Sequence, residues 1–170
     1  MSLLQWSNYT EPLAVAGNSK RESMARELFI AFIIVAVCVV IHTTGMLILV
    51  DWLLRQRPLL EQRSSILIFG LLLILVFALV ILLHLVETSI WATFYYWRDL
   101  FADYETSFYF SLGSYTTIGY GDVVLPQRWR LLGGLEGVSG VLLCGLSTAF
   151  IFAIVNALFQ IRMQKSDSHV

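Results

Sequence analysis

The sequence predicts an all-α membrane protein: three transmembrane helices, with a short re-entrant helix and an irregular loop between the second and the third. Three observations lead there. The 170 residues are 58% apolar, with a mean hydropathy of +0.75, well above ordinary soluble domains. Residues 28–50, 66–83 and 131–159 form long apolar runs, and about 20 such residues cross a bilayer. Between the last two runs, residues 104–115 read as a helix too short to span. A net charge of −1 points to no nucleic-acid partner. Cys38 and Cys144 lie inside apolar runs without metal-ligand spacing and read as packing residues. No nucleophile–base set or phosphate loop is present, so an enzyme is not expected.

Residues 1–27 are polar and mixed, an N-terminal extramembrane segment. Gly17-Asn18 reads as a break, and Ser19 with Glu22 as a capping box that starts the first helix near Lys20. The first transmembrane helix is expected over residues 28–50. His42 interrupts it and reads as packed and neutral. Residues 51–65 form a polar connection, and Pro58 suits the first turn of a second helix. The second helix pattern continues to about Trp97. His84, Glu87, Trp91 and Tyr95 follow at steps of three, four and four, so they share one face. Trp91, Phe94, Tyr95, Tyr96 and Trp97 read as an interfacial aromatic belt.

Asp103 is placed to cap the re-entrant helix, with Glu105 in its first turn. That helix leads into Thr116-Thr117-Ile118-Gly119-Tyr120-Gly121-Asp122. Here glycines alternate with larger residues, so the backbone can alternate between ordinary and positive φ. Successive carbonyls then turn to one side, and a ring of them can replace the water shell of a cation. One chain supplies one wall of such a ring, so the pattern implies several copies. The third helix carries Gly133, Gly134, Gly137, Gly140 and Gly145, which allow close helix approach in lipid. Residues 161–170 form a polar tail.

Residues 116–122 match the potassium-channel signature, with Ile118 where valine is commoner. The chain over residues 66–160 therefore resembles the potassium-channel pore domain. From His84 onward it also resembles small bacterial ion-channel proteins with an extra leading helix, in which a His-x-x-Glu-x-x-x-Trp pattern precedes the pore; here that is His84, Glu87 and Trp91. The resemblance implies a homotetramer in a lipid bilayer that conducts K+, with no other cofactor. It implies ion-binding oxygens at Thr117, Ile118, Gly119, Tyr120 and Gly121, supported by Thr116 and Asp122. It also implies a multi-pass protein of the cell membrane, with the N-terminus and filter outside and the C-terminus in the cytoplasm. The basic residues are close to a tie: Arg55, Arg57, Arg63, Arg162 and Lys165 inside against Lys20, Arg21, Arg26, Arg98, Arg128 and Arg130 outside, slightly against the positive-inside rule.

Many such channels carry a carboxylate or bulky aliphatic residue four positions before the filter threonine; here that position is Gly113. Glu136, an intramembrane carboxylate, reads as protonated or as bonded to Ser114 or Thr116, and is expected to supply the missing brace. His84 and Glu87 read as a structural pair tying the second helix to the pore helix, or as a pH-sensitive latch. Gly140 and Gly145 are candidate hinges of the inner helix or sites of close packing, and Asn156 is a candidate polar ring at an inner gate or a hydrogen-bond partner of a neighbouring helix. No helix carries the arginine repeat of a voltage sensor. Two other readings stay open: a weakly selective cation channel, and the pore subunit of a potassium uptake system. One complete filter on one chain speaks against the latter.

Overall fold

The computed structural model describes residues 3–62 and 65–167. They form four helices and no strand: α1 (Leu3–Gln62), α2 (Ile66–Trp97), α3 (Tyr104–Tyr115) and α4 (Arg130–Asp167), with a single 3-10 turn, Gln127–Trp129, leading into α4. Three helical stretches are long and apolar enough to cross a membrane: Met24–Pro58, Ile66–Trp97 and Gln127–Gln160. The chain is a multi-pass membrane protein. α3 keeps its expected bounds and α2 ends at Trp97 as expected, while α1 and α4 run longer than the apolar runs that mark them.

α1 is one helix where a later start and an earlier stop were expected. It passes through Gly17-Asn18 and through Pro58 without a break. The side chains of Ser19 and Glu22, expected to form a capping box, lie outside the described residues. At the other end, Arg55 pairs with Asp51 one turn earlier at 2.7 Å, and Leu60 is buried against α2 and α4. Those contacts extend the helix, since Pro58 removes only one ladder bond. The second helix then begins at Ile66 rather than at Pro58.

Two apolar cores form along the bundle. One gathers Ala31, Ile34 and Cys38 of α1, Trp91 and Tyr95 of α2, Tyr115 of α3, and Leu132 and Leu143 of α4. The other gathers Met46, Leu49, Phe69, Val76, Val80, Ile154 and Leu158. The expected aromatic belt divides accordingly. Trp91 and Tyr95 are fully buried, whereas Tyr96 and Trp97 are exposed. The four-residue step turns Trp91 and Tyr95 to the face shared with Glu87, which packs on α3.

α2 ends in a Schellman turn: Leu100 N–H donates to the Tyr95 carbonyl at 3.1 Å and Asp99 N–H to the Tyr96 carbonyl at 3.0 Å. The turn requires a left-handed residue, and Asp99 supplies it at φ +52°. Glycine adopts that conformation more readily. Asp99→Gly is therefore expected to stabilise the protein by about 0.5–1 kcal/mol, seen as a higher melting temperature in detergent. An unchanged or lower value would show that the turn stores no strain.

α3 starts as expected. Asp103 Oδ1 accepts the Thr106 N–H at 2.7 Å and Oδ2 the Thr106 hydroxyl at 3.0 Å. These bonds hold the Asp103 carboxyl below the usual carboxylate range.

Candidate functional site

α3 does not fade into a loop; its end is pinned. Thr116 N–H donates to Leu112 O at 3.1 Å, Thr117 N–H to Ser114 O at 3.0 Å, and Gly119 N–H reaches back to Gly113 O at 3.1 Å. From there the sign of φ alternates. Thr117, Gly119 and Gly121 have φ of +60°, +52° and +81°, while Ile118 and Tyr120 stay negative. Reversing handedness at every second residue turns successive peptide planes so that their carbonyls share a side. Positive φ is unusual for a β-branched residue, so Thr117 holds a strained backbone of the kind that collects at functional sites. Thr116 to Gly121 are all exposed on a single chain, Tyr120 at 70%.

The residues behind this strand only partly match the expectation. Asp122 accepts a hydrogen bond from the Tyr109 hydroxyl at 2.8 Å. The Tyr109 and Tyr120 rings stack with centroids 6.3 Å apart and planes 10° apart. Tyr109 thus clasps the expected support Asp122 and the ring of Tyr120, and it was missed. Its signal was available: it lies one turn before Gly113 on the same helix. Gly113 acts through its carbonyl on Gly119, so a main-chain bond occupies the place of a side-chain brace. Thr116 turns away, its hydroxyl bonding back to Leu112 O at 2.7 Å.

The Tyr109 hydroxyl holds the Asp122 carboxyl below its ordinary range, and the same bond pushes the Tyr109 phenol up. A lowered folded-state value means the clasp favours the folded state above the unfolded Asp pKa and is lost as pH falls through the folded one. Tyr109→Phe keeps the ring stack and removes the bond. Asp122 is then expected to titrate closer to an ordinary aspartate, which infrared or NMR titration of the carboxyl checks; an unmoved titration would show that the bond is not made.

α4 closes on the back of α3 through its glycines. A Cβ on Gly137 would sit 3.0 Å from Ser114 O, and one on Gly140 only 2.0 Å from Tyr115 O. Gly140 is therefore a point of close approach. Gly145 has no such neighbour within 4 Å. Asn156 is exposed on the single chain.

Glu136 is fully buried, but it does not reach Ser114 or Thr116. It accepts the Tyr95 hydroxyl at 2.8 Å and meets the Ser111 hydroxyl at a very short distance. The expected brace is thus one turn further from the strand and joins α4 to α2 and α3. The side chain of Glu136 lies one turn before Gly140, and the tight seat of Gly140 on Tyr115 sets that level. Ser111 Oγ also lies 3.0 Å from Thr88 O. A serine has one proton and the carbonyl can only accept it. The network closes when the carboxyl carries a proton that it gives to Ser111.

His84 and Glu87 are brought together, with Nδ1 and Oε2 at 3.2 Å. They belong to a larger knot. Glu87 Oε1 lies 2.8 Å from His42 Nδ1, and Tyr115 donates to Oε2 at a very short distance. Tyr115 Oη is also 2.9 Å from His84 Nδ1. Ser147 Oγ lies 3.0 Å from His84 Nε2 and 3.1 Å from His42 Nε2. All four helices contribute. His42, Tyr115 and Ser147 were missed as members, because they lie 28 to 105 residues from their partners along the chain.

The family model described as ion channel matches residues 71–157, just over half of the chain. No curated protein and no solved structure matches it. The chain belongs to this family of two-transmembrane, potassium-channel-like proteins. The matched span runs from early α2 through α3 and the alternating strand into α4. It leaves α1, with His42, as an addition to the family's unit.

Proposed function

We propose that the protein is a potassium-selective channel whose pore forms on the axis of a homotetramer. The alternation of φ over Thr117, Ile118, Gly119, Tyr120 and Gly121 carries this reading. Four such strands facing an axis stack rings of carbonyls from Thr117, Ile118, Gly119 and Tyr120, with the Thr117 hydroxyl at the inner end. Each site offers a dehydrated K+ eight oxygens in place of its water, and several sites in file let ions repel one another and leave. The exposure of the whole strand on one chain fits a surface that other copies cover. The C-terminal end of α3 adds a partly negative dipole below the strand. The filter and the N-terminus face outside and the C-terminus the cytoplasm, in the cell membrane. Asn156, exposed on α4, is placed to line the inner mouth, and Gly145 to act as its hinge. Asp122 and Tyr120, held by Tyr109, fix the diameter.

Purified protein in planar bilayers tests this. With K+ on one side and Na+ on the other, the reversal potential is expected close to the potassium equilibrium value. A second reading, a weakly selective cation pore, draws on Gly113, where the pore helix offers no side chain to stiffen the strand. It requires a reversal near zero under the same gradient, and that result would displace potassium selectivity.

A further inference from the structure

Between the two apolar cores the four helices meet on the polar knot around Glu87, and potassium conduction makes no use of it. We propose that this knot is a site for a zinc-like divalent metal ion, with His42, His84 and Glu87 as ligands and the Tyr115 oxygen as the fourth donor. One ligand atom from each of His42, His84 and Glu87 lies within 4.8 Å of the others. Glu87 and His42 are completely buried, and His84 is 18% exposed.

Hydrogen counting shows that the cluster lacks one positive charge, which an added proton or a metal ion can supply. Ser147 Oγ has three neighbours: the Leu143 carbonyl at 3.0 Å and the Nε2 atoms of His42 and His84. The carbonyl only accepts, so the single serine proton goes there. The two serine lone pairs then face both Nε2 atoms, and each must carry a hydrogen. With Nε2 protonated on both rings, both Nδ1 atoms are bare in the neutral imidazoles. His42 Nδ1 faces Glu87 Oε1 at 2.8 Å, and His84 Nδ1 faces Oε2 at 3.2 Å and Tyr115 Oη at 2.9 Å. The Tyr115 hydroxyl can donate to His84 Nδ1, but the His42 lone pair then faces the carboxylate, and one cation between the three groups relieves that repulsion.

The details fit that ion. A histidine ligand usually donates its second N–H to an orienting group, and Ser147 does this for both rings. With bonds of about 2.0–2.1 Å, tetrahedral ligand atoms lie roughly 3.3 Å apart, so the contacts of 2.8 to 3.2 Å within the knot must open to admit the ion. Two imidazoles and a carboxylate suit zinc, whereas calcium and magnesium want oxygen alone. The Glu87 carboxylate and a Tyr115 phenolate would cancel the two positive charges, as a buried position in a membrane demands. The ion would clip α1, which lies outside the family's span, to the end of the pore helix directly before the filter.

Cobalt titration tests the proposal. Full-length protein in detergent, carrying His169→Ala to remove the tail histidine, is stripped with chelator and titrated with Co2+. Binding of one Co2+ per chain is expected, with the strong visible bands of four-coordinate cobalt, displaced by Zn2+. His42→Gln is expected to weaken binding at least ~100-fold and Ser147→Ala by about 10–100-fold, both at unchanged particle size. Zinc-edge X-ray absorption of the unsubstituted, zinc-loaded protein is expected to show scattering from two imidazoles, a readout that needs no variant to fold. Absence of saturable cobalt binding, bands indifferent to His42→Gln, or an edge spectrum without imidazole overturns the site. None of these measurements involves conduction, so their failure and a failure of potassium selectivity are separately visible.

Discussion

Gly140→Ala is expected to prevent assembly of the intact protein. The new methyl group would lie 2.0 Å from the Tyr115 carbonyl oxygen, 2.9 Å from its carbon and 3.0 Å from the ring's Cγ. A carbon–oxygen contact relaxes only beyond roughly 3 Å, and the obstacle is backbone at the end of α3, so no rotamer change relieves it. α4 must move away from α3 by about 1 Å, which disturbs the seat of Glu136 one turn earlier and the knot at Ser147 further along. Overpacking of a flexible core costs about 1–3 kcal/mol; against rigid backbone the expected loss is at least about 3 kcal/mol per chain. Gly145→Ala is the control, since nothing lies within 4 Å of the new atom and alanine favours helix. Size-exclusion elution and native gels of the two variants decide it. A normally assembled Gly140→Ala protein would mean that α3 and α4 do not approach as described.

The second large effect is expected at Glu136, and its sign depends on the replacement. Glu136→Leu fills the volume but leaves the fully buried Tyr95 hydroxyl without its acceptor. An orphaned buried donor costs about 1–3 kcal/mol. Ser111 is spared, because it can still donate to Thr88 O. Glu136→Gln preserves every bond if the carboxyl is protonated: its oxygen accepts from Tyr95, and its amide donates to Ser111, which donates to Thr88. It is therefore expected within about 1 kcal/mol of the unsubstituted protein. Thermal melting in detergent separates the pair. Equal, severe losses in both variants would show that the group is ionised and that the hydrogen count is wrong.

Much of this fold was legible because lipid imposes a strong code. Uninterrupted apolar runs mark helices, and α2 starts at Ile66 where the polar connection ends. Asp103 capped α3 as expected, since its side chain acts on a neighbour three residues away. What failed was inference across polar helix ends. Gly17-Asn18 and Pro58 are local breakers, and α1 passes both; at Pro58 the burial of Leu60 and the Arg55–Asp51 pair outweigh local preference. The aromatic cluster at the end of α2 was read by composition, and the face each ring takes decided otherwise: Trp91 and Tyr95 point inward, Tyr96 and Trp97 outward. At the site, the positive φ of Gly119 and Gly121 was readable from glycine spacing, and that of Thr117 was not. The strand's clasp to Tyr109 needed the helix register as well. The knot around Glu87 was hidden, since His42 lies 45 residues from Glu87 along the chain and only the packing of α1 on α2 and α4 brings them together.

Everything proposed for conduction rests on main-chain oxygens of several copies facing one axis. Electron cryo-microscopy of the particle in K+, repeated with Tl+ as a heavier mimic, tests this most directly. A fourfold ring of chains is expected, with ion density on the axis level with the carbonyls of Thr117, Ile118, Gly119 and Tyr120. A particle without fourfold symmetry about this strand, or carbonyls directed away from an axis that holds no ion, would contradict it.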